Sequence, residues 1–244
     1  MTPTVRPLIA VLREIPDVRG RHGRRHRLDA ILALACAAML CGYRSYSAIA
    51  EWGRNYDREL VRALGFTREP PCAATVFHAF RRLDRADLEA RLGAWAESVL
   101  AMTPPAPGRT LEAVAIDGKT LRGSQKQGAP GAHLLSAVSH RLGLTLAQRD
   151  VDDKSNEITA APPVLTRLLL EGRVVTVDAL LTQRTIAQTI IDGGGDYVMV
   201  VKDNHPQVQA DIALVFASPP PSPTHRGRQR RRRRMGTGAP KSAD

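Results

Sequence analysis

Two hydrophobic rhythms divide the chain. Up to about residue 102, apolar positions recur at helical spacing; from Leu111 onward, short apolar runs of strand length alternate with helical ones. The first zone predicts helices over 28–40, 46–54 with Ser45 as N-cap, 57–64 stopped by Gly65, and 73–83 after the Pro70-Pro71 break. A fifth, capped by Asp84, runs to Met102 with Leu88, Leu92, Trp95 and Val99 on one stripe. The second zone predicts strands over 111–117, 132–139 and 144–151, then a helix over 156–170 ending at Gly172. A fourth strand over 173–178, a helix over 182–191, a fifth strand over 196–202 and a helix over 207–216 complete it. Three strands followed by helix, strand, helix and strand imply an α/β fold, a mixed sheet with helices on its faces. The expected organisation is an all-helical segment 1–102, a linker 103–110, an α/β core 111–217 and a disordered Arg/Pro-rich tail 218–244.

Composition adjusts this picture in three places. Aromatics make up only 4% of the residues, so Ala, Leu and Val must fill the interior. A formal charge of +11 suggests a polyanionic partner, yet the segment from Pro219 onward supplies +7 of it. The body is therefore mildly basic. Arg81 and Arg82 could form part of a helix-turn-helix-like DNA contact surface, or could be solvated arginines on a helical scaffold. Cys36, Cys41 and Cys72 lack metal-site spacing and are expected to be reduced, buried apolar groups. The apolar run 31–41 follows a basic stretch, as in a signal peptide, but begins too late and is too short to span a bilayer. No membrane association and a cytoplasmic location are expected.

The stretch Val114 to Ser124, VAIDGKTLRGS, invites two chemical readings. A phosphate-binding loop needs a glycine five residues before Gly118, where Ala113 stands, and a helix after Thr120, where none is indicated. That reading fails. The other is a metal-binding carboxylate, Asp117, delivered by the strand, with a partner in Asp178 at the end of VVTVDA. Magnesium takes hard oxygen ligands and needs few protein groups, so two or three converging carboxylates suffice. Either aspartate alone reads more simply as a strand cap; the pair, in this strand order, does not.

The strand order resembles the ribonuclease H-like fold. The words AIDGKTLRGS, KSNEITAAPPVL, VVTVDALLTQ and GGDYVMVVKDNHPQV, in this order, resemble DDE transposases of bacterial insertion sequences, in the group of H-repeat-associated proteins. The helical zone, with AILALACAAMLCGYRSYSAIAEW, is similar to the domain preceding the catalytic core there; the resemblance spans about 17–216. It implies Asp117 and Asp178 as catalytic, Mg²⁺-binding aspartates, with Mn²⁺ as a substitute. Glu157 would be an accessory ligand, competing with a simple helix-start role. Lys154, Asn156 and Glu157 form one family signature, and Lys202, Asn204 and Pro206 another. Lys119, Arg122, Lys154 and Lys202 would contact DNA, against solvated turn residues as the alternative. Implied partners are element-end and target DNA, with a homodimer on DNA in the nucleoid.

One element of the pattern is missing. The family carries a third acid, a glutamate on a helix beyond the fifth strand, whereas Glu171 is the last glutamate here and only Asp244 follows Asp211. The tail reads as a frameshifted translation or as a natural basic extension with five consecutive arginines, Arg230 to Arg234. The expectations are thus an inactive transposase, a non-catalytic DNA-binding relative that interferes with transposition, or a chain too incomplete to stay folded.

Overall fold

A computed structural model describes residues 5–103, 111–124, 131–151 and 157–217, apart from the side chains of His22 and Arg122. The expected linker (but for Thr103), Lys154, Asn156 and the 218–244 tail lie outside the described residues. The chain forms two compact units, Met1–Val200 and Val201–Asp244.

The first unit opens with a short helix that periodicity did not reveal, α1 (Leu8–Leu12). Five amino acids, LIAVL, are too few to show a helical period. Then come α2 (Leu28–Leu40), α3 (Tyr46–Asn55), α4 (Arg58–Ala63), α5 (Ala73–Arg81) and α6 (Arg85–Met102). Their ends follow cap chemistry. Ser45 Oγ accepts from Ala48 N, Asp57 and Asp84 each accept two first-turn amides, and Gly65 ends α4 at φ 103°. The run that resembled a signal-peptide core is α2, with nine buried residues, at the centre of the helical core. No helix among the described residues is long and apolar enough to cross a membrane.

The second zone supplies β1 (Glu112–Thr120), β2 (His133–Ser139), β3 (Thr145–Val151), α7 (Glu157–Leu165), β4 (Arg173–Val177), α8 (Arg184–Asp192) and β5 (Asp196–Met199). The five strands form one mixed sheet in the order β3-β2-β1-β4-β5. The first two pairings are antiparallel, and β1–β4 and β4–β5 are parallel. Its core joins Val114, Ile116, Leu135, Ala137, Val175 and Val177 to Ala161, Val164 and Leu165 of α7 and Ile186 and Ile190 of α8.

Helix α6 belongs to both cores. Leu88 and Leu92 pack on the helical core, while Ala96 and Leu100 are buried in the sheet core. The expected single stripe through Val99 is therefore split between two partners. Gly93 allows the approach, because a Cβ there would lie 2.5 Å from Leu146 O of β3. Arg173 at the start of β4 forks onto both Glu97 oxygens, Arg141 binds Glu112 and Leu100 O, and Gln148 binds Glu89.

Two further expectations change. Helix α7 ends at Leu165 rather than 170, after Pro162 and Pro163 within it. The chain then turns, Leu168 and Leu170 still buried, to Gly172 at φ 75°. Of the cysteines, only Cys36 is substantially covered, and burial raises its thiol pKa; Cys41 and Cys72 are exposed. The second unit contributes α9 (Pro206–Ala217), none of whose residues is buried.

Candidate metal site on adjacent strands

Strand β1 is longer than expected, and this decides what the glycine-lysine-threonine triplet is. Gly118, Lys119 and Thr120 remain in the ladder, opposite Leu135, Leu134 and His133 of β2. They are strand residues, not a phosphate loop. Past them, Leu121 N donates to Ala132 O and Ser124 Oγ accepts from Ala132 N, closing the chain back onto β2.

On its other edge β1 pairs with β4 only as far as Ile116 opposite Val177. Asp117 and Asp178 each stand one residue beyond that last pair. They lie on neighbouring parallel strands, whose spacing is about 4.8 Å. Val114 and Ile116, like Val175 and Val177, are buried in the core, so strand alternation turns both aspartates to the opposite face. Both are exposed. The Asp117 carboxylate has no hydrogen bond or ion pair with a described residue. Asp178 is partly committed: its Oδ1 accepts from Leu180 N and Leu181 N, both at 3.1 Å. The turn-capping role is thus real for Asp178, but it occupies one oxygen. Thr182 Oγ1, 2.9 Å from Asp178 O and 2.8 Å from Val200 O, ties this turn to the end of β5.

Glu157 is placed differently. It opens α7, is 5% exposed, and lies 2.5 Å through Oε1 from Nε2 of His133, itself buried. A carboxylate accepts, so Nε2 donates; the other ring nitrogen, Nδ1, is 2.9 Å from Thr120 Oγ1. A Cβ at Gly118 would collide with the Glu157 carboxylate, which shows where that carboxylate sits: on the face Gly118 presents, opposite to that of Asp117. The structure therefore brings Asp117 to Asp178 and ties Glu157 to His133. Among the described residues, no group of three or more His, Cys, Asp or Glu side chains could hold a metal ion.

Lys119 is exposed two residues along β1 from Asp117, on the same face by alternation. Arg122 sits in a 3-10 turn, Arg122–Ser124. Arg81 ends α5 and Arg82 is its C-cap, both exposed. Lys202 is exposed in the second unit. Sequence reading missed the Thr120–His133–Glu157 chain. Its one visible signal was a histidine in register with the buried positions of HLLSAVS.

A family model described as "Transposase DDE domain" matches residues 108–241. The chain belongs to this DDE transposase family. A second model, "DDE_Tnp_1-associated", matches residues 9–96 of the helical zone. The transposase-domain match continues past Phe216 through the Arg/Pro-rich segment. YncI of Escherichia coli (strain K12), which carries a transposase name, is 32% identical over 82% of this chain and 79% of its own length. YbfD of the same strain, whose name places it among H repeat-associated transposases, is 32% identical over 78% of this chain and 74% of its own. A Xanthobacter autotrophicus protein named for its place in the dhlA 3' region is 36% identical over 88% of this chain and 70% of its own. Among solved structures, a piggyBac transposase chain aligns with a TM-score of 0.39 and 10% identity, over 84% of this chain and 48% of that one.

Proposed function

We propose that this DDE transposase relative binds DNA and holds a divalent cation, Mg²⁺ or Mn²⁺, between Asp117 and Asp178 in a ribonuclease H-like core. The observation that carries the reading is the register of β1 and β4, whose last pair is followed on each strand by an exposed aspartate. The donor set suits the ion. Asp117 has no hydrogen bond or ion pair with a described residue, Asp178 has an oxygen to spare among them, and hard oxygen ligands are what Mg²⁺ takes. When bound, such an ion would act as a Lewis acid on a phosphodiester oxygen, and a pair of them would serve both the attacking and the leaving oxygen. The chain's own residues do the rest: Asp178 is fixed by its turn, Asp117 by the ladder, and Lys119 offers a positive charge to a phosphate approaching the same face.

The reaction proposed for the family frame is cleavage at element ends followed by strand transfer into target DNA. No glutamate follows Glu171 within these 244 residues, and the family's third acid is not among them. The second reading is a non-catalytic DNA-binding relative that occupies element ends. Incubating the full chain with supercoiled plasmid and Mg²⁺ or Mn²⁺ separates the two. Nicking that Asp117→Asn removes supports the enzyme; DNA binding without nicking supports the second reading. Failure to bind DNA at all contradicts both.

A further inference from the structure

The Thr120–His133–Glu157 chain has a direction. Nε2 of His133 donates to Glu157 Oε1, so in the neutral ring Nδ1 carries a lone pair, and at 2.9 Å it accepts from the Thr120 hydroxyl. The hydroxyl proton thus faces a base, and behind that base stands a carboxylate. Burial is graded in the same order. Glu157 and His133 are each 5% exposed, whereas Thr120 is exposed at the end of β1. A brace between two elements needs no hydroxyl at the surface, since the bond between His133 and Glu157 already ties β2 to α7. Gly131 borders the Thr120 methyl, where an added Cβ would lie 3.3 Å from Cγ2, and brings no side chain to cover the hydroxyl.

The backbone supplies a donor beside it. Ala113 O accepts from His140 N and Leu121 N donates to Ala132 O, so odd positions of β1 bond to β2 and even ones face the β4 side. Pairing with β4 stops at Ile116, which leaves the Thr120 amide without a ladder partner there. An oxyanion on a carbon joined to Thr120 Oγ1 lies within reach of that amide, the arrangement by which hydroxyl nucleophiles stabilise acyl transfer.

We propose that Thr120 and His133 form an acyl-transfer site for small activated esters, on the face of β1 opposite to Asp117, with Glu157 as its positioning residue. Thr120 Oγ1 attacks the ester carbonyl as its proton passes to Nδ1. Collapse of the oxyanion breaks the ester's C–O bond, and His133 gives the proton to the departing alcohol. Water then loses a proton to the same nitrogen and attacks the acyl group, which leaves as a carboxylic acid while Thr120 regains its proton. The Nε2 hydrogen stays on the ring throughout, and Glu157 orients the imidazole and stabilises its cationic form. No step draws on a metal ion, so the site is independent of the proposed cation pair.

The test mixes the full chain, kept in chelator, with p-nitrophenyl acetate and maps an acid-quenched sample by peptide mass spectrometry. Nitrophenol release above the buffer rate and an acetyl group on Thr120 are expected. Thr120→Val, isosteric at an exposed position, abolishes both, while Thr120→Ser keeps them. His133→Gln lowers turnover about a hundredfold. Glu157→Gln lowers kcat at an unchanged KM, as loss of the imidazolium's partner requires, with each fold checked by circular dichroism. Turnover that Thr120→Val leaves intact, acetyl groups found only on other side chains, or no turnover above buffer overturns the proposal. Because chelator removes the cation, none of these outcomes bears on metal binding at Asp117 and Asp178.

Discussion

Asp117 and Gly118 are neighbours in sequence, yet they serve opposite faces of the same strand. On one face, Asp117 and Asp178 stand exposed, and only one of their four oxygens is engaged with a described residue. On the other, Glu157 is buried against Gly118 and held by His133, which is held in turn by Thr120. Three acids grouped by the family resemblance are thus divided into an exposed pair, Asp117 and Asp178, and a single buried acid that ties α7 to the sheet. A buried carboxylate is tolerated only with a partner, whereas an exposed one costs little and remains available. Within VAIDGKT, Gly118 thus makes room for a buried carboxylate, while Asp117 is left exposed and without a contact to a described side chain.

The largest effect is expected from filling the Gly118 slot. Gly118→Val forces Glu157 off His133 and overpacks the face, and should cost on the order of 3 kcal/mol in chemical denaturation. A stability within error of the unsubstituted chain would show that Glu157 has another place to go. Gly93→Ala makes a smaller intrusion at the α6–β3 contact, where the obstacle is the backbone oxygen of Leu146. A loss of about 1–2 kcal/mol is expected despite alanine's better helix propensity. A gain would mean that α6 slides freely on the sheet.

The exposed face should behave differently. Asp178→Ala removes the acceptor of two turn amides and should cost about 1 kcal/mol, whereas Asp178→Asn, which keeps that oxygen, should cost less than about 0.5 kcal/mol. Equal losses would show that charge rather than turn geometry holds the loop. Asp117→Asn should move the unfolding midpoint least of all, with a change under about 0.5 kcal/mol, since it breaks no contact with a described residue.

Much of this fold was legible because its signals are local. Helix α2 begins and ends where its apolar run does, Asp84 caps α6 as its position promised, and the apolar strands occur in the order read. That β1 and β4 carry an aspartate at matching places was legible too, since each acid closes an apolar run of the same pattern, one residue past the last pair. What escaped depended on distant partners. Strand β1 runs past Asp117 because β2 continues beside it to His133, and nothing within VAIDGKT announces that. The bond between His133 and Glu157 joins residues 24 apart, so neither could be seen to need the other. Two of the three cysteines expected to be buried are exposed, because a residue's usual burial says little about one position in a loop or at a helix end.

The central claim is that Asp117 and Asp178 form a cation site from which Glu157 is excluded. Titrating the full chain with Mn²⁺ and following the free ion by electron paramagnetic resonance tests it directly. Binding that Mg²⁺ displaces is expected, lost in Asp117→Asn and in Asp178→Asn and retained in Glu157→Gln, each variant checked for its fold. Binding that survives Asp117→Asn, or that Glu157→Gln abolishes while the fold persists, would contradict it.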